Sequence, residues 1–291
     1  MARIFLRPTA DLTFKRIFGE HKNLVISLIN ALLPLSGEDE VQEVEYLPAE
    51  LVPELPTGKN SIVDVRCKDG NGRHFRVEMQ TIWSPAFMQR VLFNASKVYV
   101  NQIEKNKDFR ATQPVYSLNI LNDTYMNGTE YADEYIHNYS IVHEKHTDKV
   151  IEGLHFTFVE LPKFHPSTTA EKKMTILWLK FLTTINEDTI EPDADLLSND
   201  ETNQAINLVR ESAFTPAQVR TYDKYWDEMW RENLLISDAK SEGMAKGIEK
   251  GIAEGVAKVA RKMIARRDSI SDIADVTGLT EEKIRQLTNN N

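Results

Sequence analysis

Residues 61–80 read SIVDVRCKDGNGRHFRVEMQ, and they carry the clearest β-strand pattern of the chain. Apolar and polar residues alternate over 61–68 and again over 74–80, with the glycine-rich segment Asp69–Gly72 between them. Alternation with a period of two is typical of half-buried β-strands. Two such runs around a glycine-rich turn predict a β-hairpin.

The alternation also predicts the register of the hairpin, because successive side chains of a strand point to opposite faces. Directly opposed residues of an antiparallel pair share a face. Asp64 must therefore lie opposite Glu78 if the apolar residues are to stay together, and a loop of three or five residues closes that arrangement. A shift by one residue would set Asp64 against Val77 and mix the two faces. The apolar face then consists of Val63, Val65, Cys67, Phe75, Val77 and Met79.

This register brings Asp64, Glu78 and Gln80 to one face of the hairpin. Two opposed carboxylates repel each other unless a cation lies between them. Oxygen ligands of this kind suit Mg²⁺ or Mn²⁺, which can polarise a phosphoryl oxygen and lower the pKa of a bound water. An ordinary polar hairpin is the alternative, since Arg66 and Arg76 share this face and can neutralise both acids.

Composition limits the class of protein. The chain has 291 residues, of which 41% are hydrophobic and 27% charged, as expected for one large or two ordinary soluble domains. The net charge of -9 argues against a protein that coats nucleic acid non-specifically, although a local basic surface stays open. One cysteine excludes a disulfide framework. We expect a cytoplasmic protein with no membrane partner, because the apolar stretch between Lys22 and Glu38 contains Pro34 and is too short to span a bilayer.

Helical and strand patterns surround the hairpin. Apolar residues recur at three and four over 11–33, up to Pro34, and again over 85–105. Alternation predicts a strand over 114–121, with further strands over 139–143 and 154–161. From about residue 167 the pattern is helical, and Thr215 before Pro216 marks one helix start.

A four-residue repeat begins at Gly243 and continues through Gly247, Gly251 and Gly255. The position after each glycine is Met or a β-branched apolar residue (Met244, Ile248, Ile252 and Val256). The third position after each glycine is Lys or Glu (Lys246, Lys250, Glu254 and Lys258). Each glycine costs a helix about 1 kcal/mol relative to alanine, so close approach of a partner helix is the expected compensation. The pattern predicts a homo-oligomer formed through 243–256, and a flexible linker is the alternative.

Residues 270–287 predict two short helices around a turn at Gly278, which is compatible with a small DNA-binding helix-turn-helix. An ordinary helical hairpin that does not contact DNA is the alternative. The most basic stretch of the chain precedes it and is predicted to contact DNA through Lys258, Arg261, Lys262, Arg266 and Arg267.

Asp64, followed after 13 residues by Glu78-Met79-Gln80, resembles the core of the PD-(D/E)XK nuclease superfamily. Residues 11–19 (DLTFKRIFG) are similar to the entry motif of one branch, the Rpn family of recombination-promoting nucleases and transposase-like proteins. Phe87-Met-Gln-Arg90, Tyr99 and the strand over 114–121 follow in the order and spacing of that branch.

The resemblance implies an α/β fold: a PD-(D/E)XK-like core with a mixed central sheet flanked by helices. The helical pattern from about residue 167 predicts that an all-helical C-terminal region follows this core. It also implies DNA cleavage that depends on Mg²⁺ or Mn²⁺, with Asp64 and Glu78 as metal ligands. Gln80 occupies the position of the superfamily lysine, which it cannot replace as a charged group. Asp11 and Lys15 match family positions as accessory residues; a helix N-cap and a surface cation are the alternative. Contacts with DNA are predicted for Arg66, Arg76 and Arg90.

The sequence thus predicts a nuclease-like core over 1–165 and a helical extension packed on it over 166–240. A glycine-repeat helix over 241–267 and a helix-turn-helix-like tail over 268–291 follow. The predicted function is a divalent-metal-dependent DNA endonuclease associated with recombination or mobile elements. A catalytically weak or inactive protein that acts as an oligomeric DNA-binding or regulatory module is the alternative, motivated by Gln80 and the net charge. A self-associating scaffold is a third possibility.

Overall fold

A computed structural model describes residues 3–47, 63–103, 108–165 and 173–289, with positions 63, 64 and 289 described by their backbone. The chain divides into two compact units, Met1–Trp226 and Asp227–Asn291. The four-part division predicted from the sequence stays a prediction beside this finding.

The first unit is built on a mixed sheet, as the sequence predicted. Within the described ranges six strands pair in the order β1-β2-β3-β4-β6-β5. β3 and β4, and β4 and β6, are parallel, whereas the other neighbours are antiparallel. The strands are β1 (Val44–Tyr46), β2 (Val63–Asp69), β3 (His74–Gln80), β4 (Val115–Leu121), β5 (Ile136–His143) and β6 (His146–Glu160).

The β2–β3 hairpin has the register that the sequence predicted. Asp64 lies opposite Glu78, and Lys68 opposite His74, so that five residues connect the last paired positions. The backbone N–H of Asp69 donates to the carbonyl of Arg73 across this loop, at 3.1 Å. Gly72 has a φ of +81°, a conformation that a residue with a Cβ adopts only with strain.

The apolar face of the sheet packs against helices α1 (Asp11–Phe14), α2 (Lys22–Leu32) and α4 (Lys173–Thr184). Cys67 is fully buried in this core, and burial raises the pKa of its thiol to about 12. The opposite face is covered by α3 (Pro85–Val100), which connects β3 to the parallel strand β4. Phe87 and Val91 of α3 pack there against Leu121 and Phe158.

The helix predicted over 11–33 is interrupted, so that prediction was wrong in its continuity. A π-helical turn over Lys15–Gly19 follows α1, and His21 is extended before α2 begins. A π-turn leaves carbonyl groups outside the regular helical pattern. Nδ1–H of His21 donates to one of them, the carbonyl of Arg16, at 2.8 Å.

The remaining helices begin at identifiable caps. At the start of the 50-residue helix α7 (Pro216–Ala265), the backbone N–H of Thr215 donates to the Gln218 side chain, and the backbone N–H of Gln218 donates to the Thr215 hydroxyl. This helix contains residues 241–265 of the predicted glycine-repeat helix. The remaining helices are α5 (Ala194–Ser198), α6 (Asp200–Leu208), α7 (Pro216–Ala265), α8 (Ile270–Thr277) and α9 (Glu281–Asn289).

The described residues include no helix that is long and apolar enough to cross a membrane.

The second unit has a small core of its own. Ala260 near the end of α7, Ile273 of α8 and Ile284 of α9 are buried against one another. Gly278, with a φ of +66°, ends α8, and its N–H donates to the carbonyl of Ala274 at 2.8 Å. Two short helices around a turn at Gly278 agree with the sequence prediction; their contact with DNA stays a prediction.

Candidate functional site

A row of polar side chains lies between the sheet and α3. Arg76, Glu78 and Gln80 of β3 share this face because they are two residues apart. The parallel neighbour β4 adds Ser117 opposite Arg76 and Asn119 opposite Glu78. All five residues are buried, and Glu78 has no exposed surface. Buried polar groups require partners, so the contacts of this row show how its charges are satisfied.

The Glu78 carboxylate contacts guanidinium groups through both oxygens. Oε2 lies 2.5 Å from Nη1 of Arg76, and Oε1 lies 3.4 Å from Nη2 of Arg90. Arg76 precedes Glu78 on the same strand, whereas Arg90 comes from the second turn of α3. The structure therefore contains an Arg–Glu pair of the kind that the sequence left open as the alternative to a metal site.

Gln80 is oriented by two hydrogen bonds. Its Nε2 donates to the carbonyl of Ile82 at 2.7 Å, and its Oε1 accepts from Nη2 of Arg90 at 2.7 Å. The same Arg90 nitrogen thus faces both Glu78 and Gln80. Burial lowers the pKa of Arg90, the Glu78 carboxylate opposes that shift, and the nearby Arg76 adds to it.

Asp64 occupies the strand position opposite Glu78, but its side chain lies outside the described side chains. Among the side chains that are described, no group of three or more His, Cys, Asp or Glu residues is arranged to hold a metal ion. The assignment of Asp64 and Glu78 as metal ligands therefore stays a prediction.

The chemistry of the donors nevertheless suits Mg²⁺ or Mn²⁺, since a Glu carboxylate, a Gln amide oxygen and an Asp strand position supply oxygen ligands. The adjacent charges oppose a cation, because like charges about 4 Å apart cost on the order of 4 kcal/mol near a protein surface. A divalent ion thus fits the oxygen donors of Glu78 and Gln80 only if a guanidinium group withdraws.

Asp11 and Lys15 form an ion pair one helical turn apart, at 3.0 Å. The N-cap of α1 is Ala10, so Asp11 is not the cap that the sequence offered as an alternative. Tyr225, which the sequence did not identify, lies at the end of β3 and within electrostatic range of the Asp11 carboxylate. Its hydroxyl lies 2.7 Å from that of Thr81, the residue after β3. Burial raises the pKa of Tyr225, the Thr81 hydrogen bond opposes the shift, and the Asp11 carboxylate adds to it.

The residues predicted to contact DNA fall into two groups. Arg66 and Arg76 are buried, and Arg90 is half-buried beside Glu78. The second group is exposed at the end of α7 and in the connection to α8, and consists of Lys258, Arg261, Lys262, Arg266 and Arg267. Their role in DNA binding stays a prediction.

A second buried carboxylate, which the sequence did not single out, lies at the end of β6. Glu160 accepts from the backbone N–H groups of Tyr125 and Met126 at 2.6 and 3.1 Å. Nε2 of His137 and Nζ of Lys163 contact it at 2.8 and 2.6 Å. Burial alone would raise the pKa of Glu160, but these hydrogen bonds hold it below its usual range. The sequence signal that could have identified this ion pair is Lys163, which follows Glu160 by three residues.

The chain is similar to a known protein family. A family model described as PD-(D/E)XK nuclease family transposase matches residues 8–239, which include α3 and all six described strands of the sheet. No curated protein matches the chain, and no solved structure does.

Proposed function

We propose that this chain, which belongs to the PD-(D/E)XK nuclease family transposases, cleaves DNA as a divalent-metal-dependent endonuclease in recombination or mobile-element activity. The observation that carries the proposal is the register that sets Asp64 opposite Glu78 on adjacent strands. The oxygen donors of this site and the membership in a family described as nucleases support the same reaction class, hydrolysis of a DNA phosphodiester. We expect it to act in the cytoplasm, where its single thiol stays reduced.

Asp64 and Glu78 would hold Mg²⁺ or Mn²⁺ at this face of the hairpin. The bound ion would polarise a phosphoryl oxygen and assist deprotonation of the attacking water. Gln80 uses its N–H group on the Ile82 carbonyl, so its oxygen is the atom that faces the site. It can orient an arginine or a water but carries no charge. Asp11 and Lys15 are proposed as accessory residues near the end of β3.

Cleavage of supercoiled plasmid DNA tests the proposal directly. We expect nicking by the wild-type chain with Mg²⁺ or Mn²⁺, and a loss of at least about a thousandfold, or ~4 kcal/mol in the barrier, in Asp64→Ala. Asp188→Ala, which removes an exposed carboxylate elsewhere, is the matched control and should retain full activity. Intact plasmid with wild type and either metal would contradict the enzymatic proposal.

A second function is favoured by the two arginines on Glu78 and by the uncharged Gln80. In this alternative the chain is a weak or inactive nuclease that binds DNA as an oligomeric or regulatory module. Binding would then persist in EDTA and depend on the exposed basic residues of the second unit. Lys262→Gln with Arg266→Gln should reduce the slope of log affinity against log salt by about 0.9 for each lost phosphate contact. An unchanged slope would exclude these residues from the interface.

A second copy of this chain is the proposed partner of the 243–256 segment. Met244, Ile248 and Ile252 form an exposed row on α7. A Cβ placed on any of the four glycines beside this row would meet nothing within 4 Å. The face therefore has room for close approach of another helix.

The charges beside the glycine row favour an antiparallel pair. Every fourth residue from Asp238 to Lys262 is charged, in the order Asp238, Glu242, Lys246, Lys250, Glu254, Lys258, Lys262. Two antiparallel copies centred on Lys250 oppose Glu254 to Lys246 and Glu242 to Lys258 on either side of the two-fold axis, where Lys250 faces its own copy. A two-fold interface of this kind is self-complementary.

Charge reversal tests this arrangement by sedimentation velocity. Lys246→Glu should weaken self-association by about tenfold through two repelling Glu–Glu pairs, and adding Glu254→Lys should restore it. Lys240→Glu, on another side of the helix, is the control. A monomeric wild type, or a double variant no better than the single one, would contradict the antiparallel pair.

A further inference from the structure

We propose that Arg90 is a positioning residue that substitutes for the divalent cation at Glu78 and moves to a DNA phosphate when the cation binds. The inference rests on the proposed nuclease function and concerns how its metal and DNA sites communicate. It makes binding of the cation and binding of DNA depend on one side chain.

The geometry distinguishes Arg90 from Arg76. The Arg76 side chain is 4% exposed and its contact with Glu78 is short, 2.5 Å. The Arg90 side chain is 28% exposed, and its contact with the same carboxylate is 3.4 Å. Arg76 is also fixed in the strand that carries Glu78, whereas Arg90 extends from α3. Arg90 is therefore the guanidinium group that can leave while the sheet stays intact.

Arg90 is incompletely satisfied in its present position. Its Nη2 is shared between Gln80 and Glu78, and its buried Nε has no hydrogen-bond partner among the described residues. The guanidinium group also lies over the Phe87 ring, 5.0 Å from its centroid. A buried donor without a partner is unfavourable, so a position that offers more acceptors would be preferred once Glu78 is neutralised by another cation.

A phosphodiester offers such acceptors. A guanidinium group has five donors in a planar fork that matches phosphate geometry. A divalent ion at Glu78 would repel the Arg90 charge, and a nearby phosphate would attract it. By linkage the two binding events must strengthen each other equally. The Arg90 side chain is 28% exposed, so its guanidinium group can reach solvent from beside the buried polar row.

Two equilibrium measurements on the full-length chain test the inference without cleavage. Mn²⁺ binding without DNA is measured by calorimetry, and binding of a phosphorothioate duplex by fluorescence anisotropy with and without Mn²⁺. Arg90→Gln should bind Mn²⁺ about tenfold more tightly than wild type and lose most of the Mn²⁺-dependent gain in DNA affinity. Arg110→Gln, which removes the same charge from an exposed pair with Asp108, should match wild type in both.

Arg90→Lys keeps the charge and should retain wild-type Mn²⁺ affinity, which protects the test if Arg90→Gln folds poorly. Unchanged or weaker Mn²⁺ binding by Arg90→Gln would overturn the inference. A tenfold gain in Mn²⁺ affinity in Arg90→Lys, like that expected for Arg90→Gln, would also overturn it. If the Arg90 variants contradict the inference but wild type binds Mn²⁺ and Asp64→Ala does not, the proposed function still stands. Absence of Mn²⁺ binding in both wild type and Arg90→Gln would overturn the inference together with the proposed metal role.

Discussion

Two glutamates on this sheet have no exposed surface, yet their surroundings differ. Glu78, within β3, receives its described ion pairs from Arg76 and Arg90, which are long side chains. Glu160, at the end of β6, is bonded by two backbone N–H groups in addition to His137 and Lys163. Burial alone therefore does not distinguish these two carboxylates.

The kind of donor makes the distinction. A backbone N–H can leave a carboxylate only if the polypeptide around it rearranges, so Glu160 fastens the segment that carries Tyr125 and Met126 to β6. An arginine side chain can leave by rotating its own bonds. The ion pair of Glu78 with Arg90 can thus be exchanged for another partner, whereas the backbone hydrogen bonds of Glu160 cannot.

The largest effect is expected from Glu160→Gln. The substitution leaves Lys163, whose side chain is 10% exposed, without its carboxylate. Breaking a buried ion pair in this way typically costs about 3–5 kcal/mol of unfolding free energy. Urea unfolding monitored by circular dichroism measures the loss. Glu152→Gln, which removes a largely exposed carboxylate on the same strand, should cost less than about 1 kcal/mol. Equal costs would remove the contrast.

An intermediate effect is expected from Mn²⁺ on Glu78. A ligand present at about 100 times its Kd stabilises the folded state by about 2.7 kcal/mol. Mn²⁺ at that level should raise the unfolding free energy of wild type and of Glu160→Gln, but not that of Glu78→Gln. Thermal unfolding with Mn²⁺ and with EDTA makes the comparison. Stabilisation of Glu78→Gln by the same amount would show that the ion binds elsewhere.

The smallest effect is expected from acid. The pKa of Glu160 is lowered in the folded state. Its contribution to stability is therefore complete above the unfolded pKa, about 4.3, and lost as the pH falls through the lower folded value. The stability difference between wild type and Glu160→Gln should therefore shrink on acidification. Urea midpoints of both proteins across the acid range test the sign, and a difference that grows would contradict it.

The central hairpin could be predicted because its determinants are local. Alternation over 61–80 dictates which side chains share a face, and Asp64 opposite Glu78 follows from it alone. The family resemblance and the mixed sheet were confirmed for the same reason, since the motifs lie in order along the chain. Helix starts such as Thr215 before α7 also depend on neighbouring residues.

Contacts between elements were not predictable in this way. The position of Arg90 between Glu78 and Gln80 depends on how α3 packs on the sheet. The approach of Tyr225 to Thr81 joins residues that are far apart in sequence. The π-turn over Lys15–Gly19 keeps the apolar periodicity of an ordinary helix and gives no separate signal.

The position of Cys67 makes it a native thiol probe of local opening of the β2–β3 hairpin. It is the single thiol of the chain, it pairs opposite Phe75 in the strand that carries Asp64, and it is closed off from solvent. With its pKa raised to about 12, it is nearly all in the unreactive thiol form at neutral pH. The rate at which an alkylating reagent modifies this one sulfur therefore reports the population of the open hairpin when reclosing is faster than alkylation. No label has to be introduced, and no second cysteine contributes to the signal.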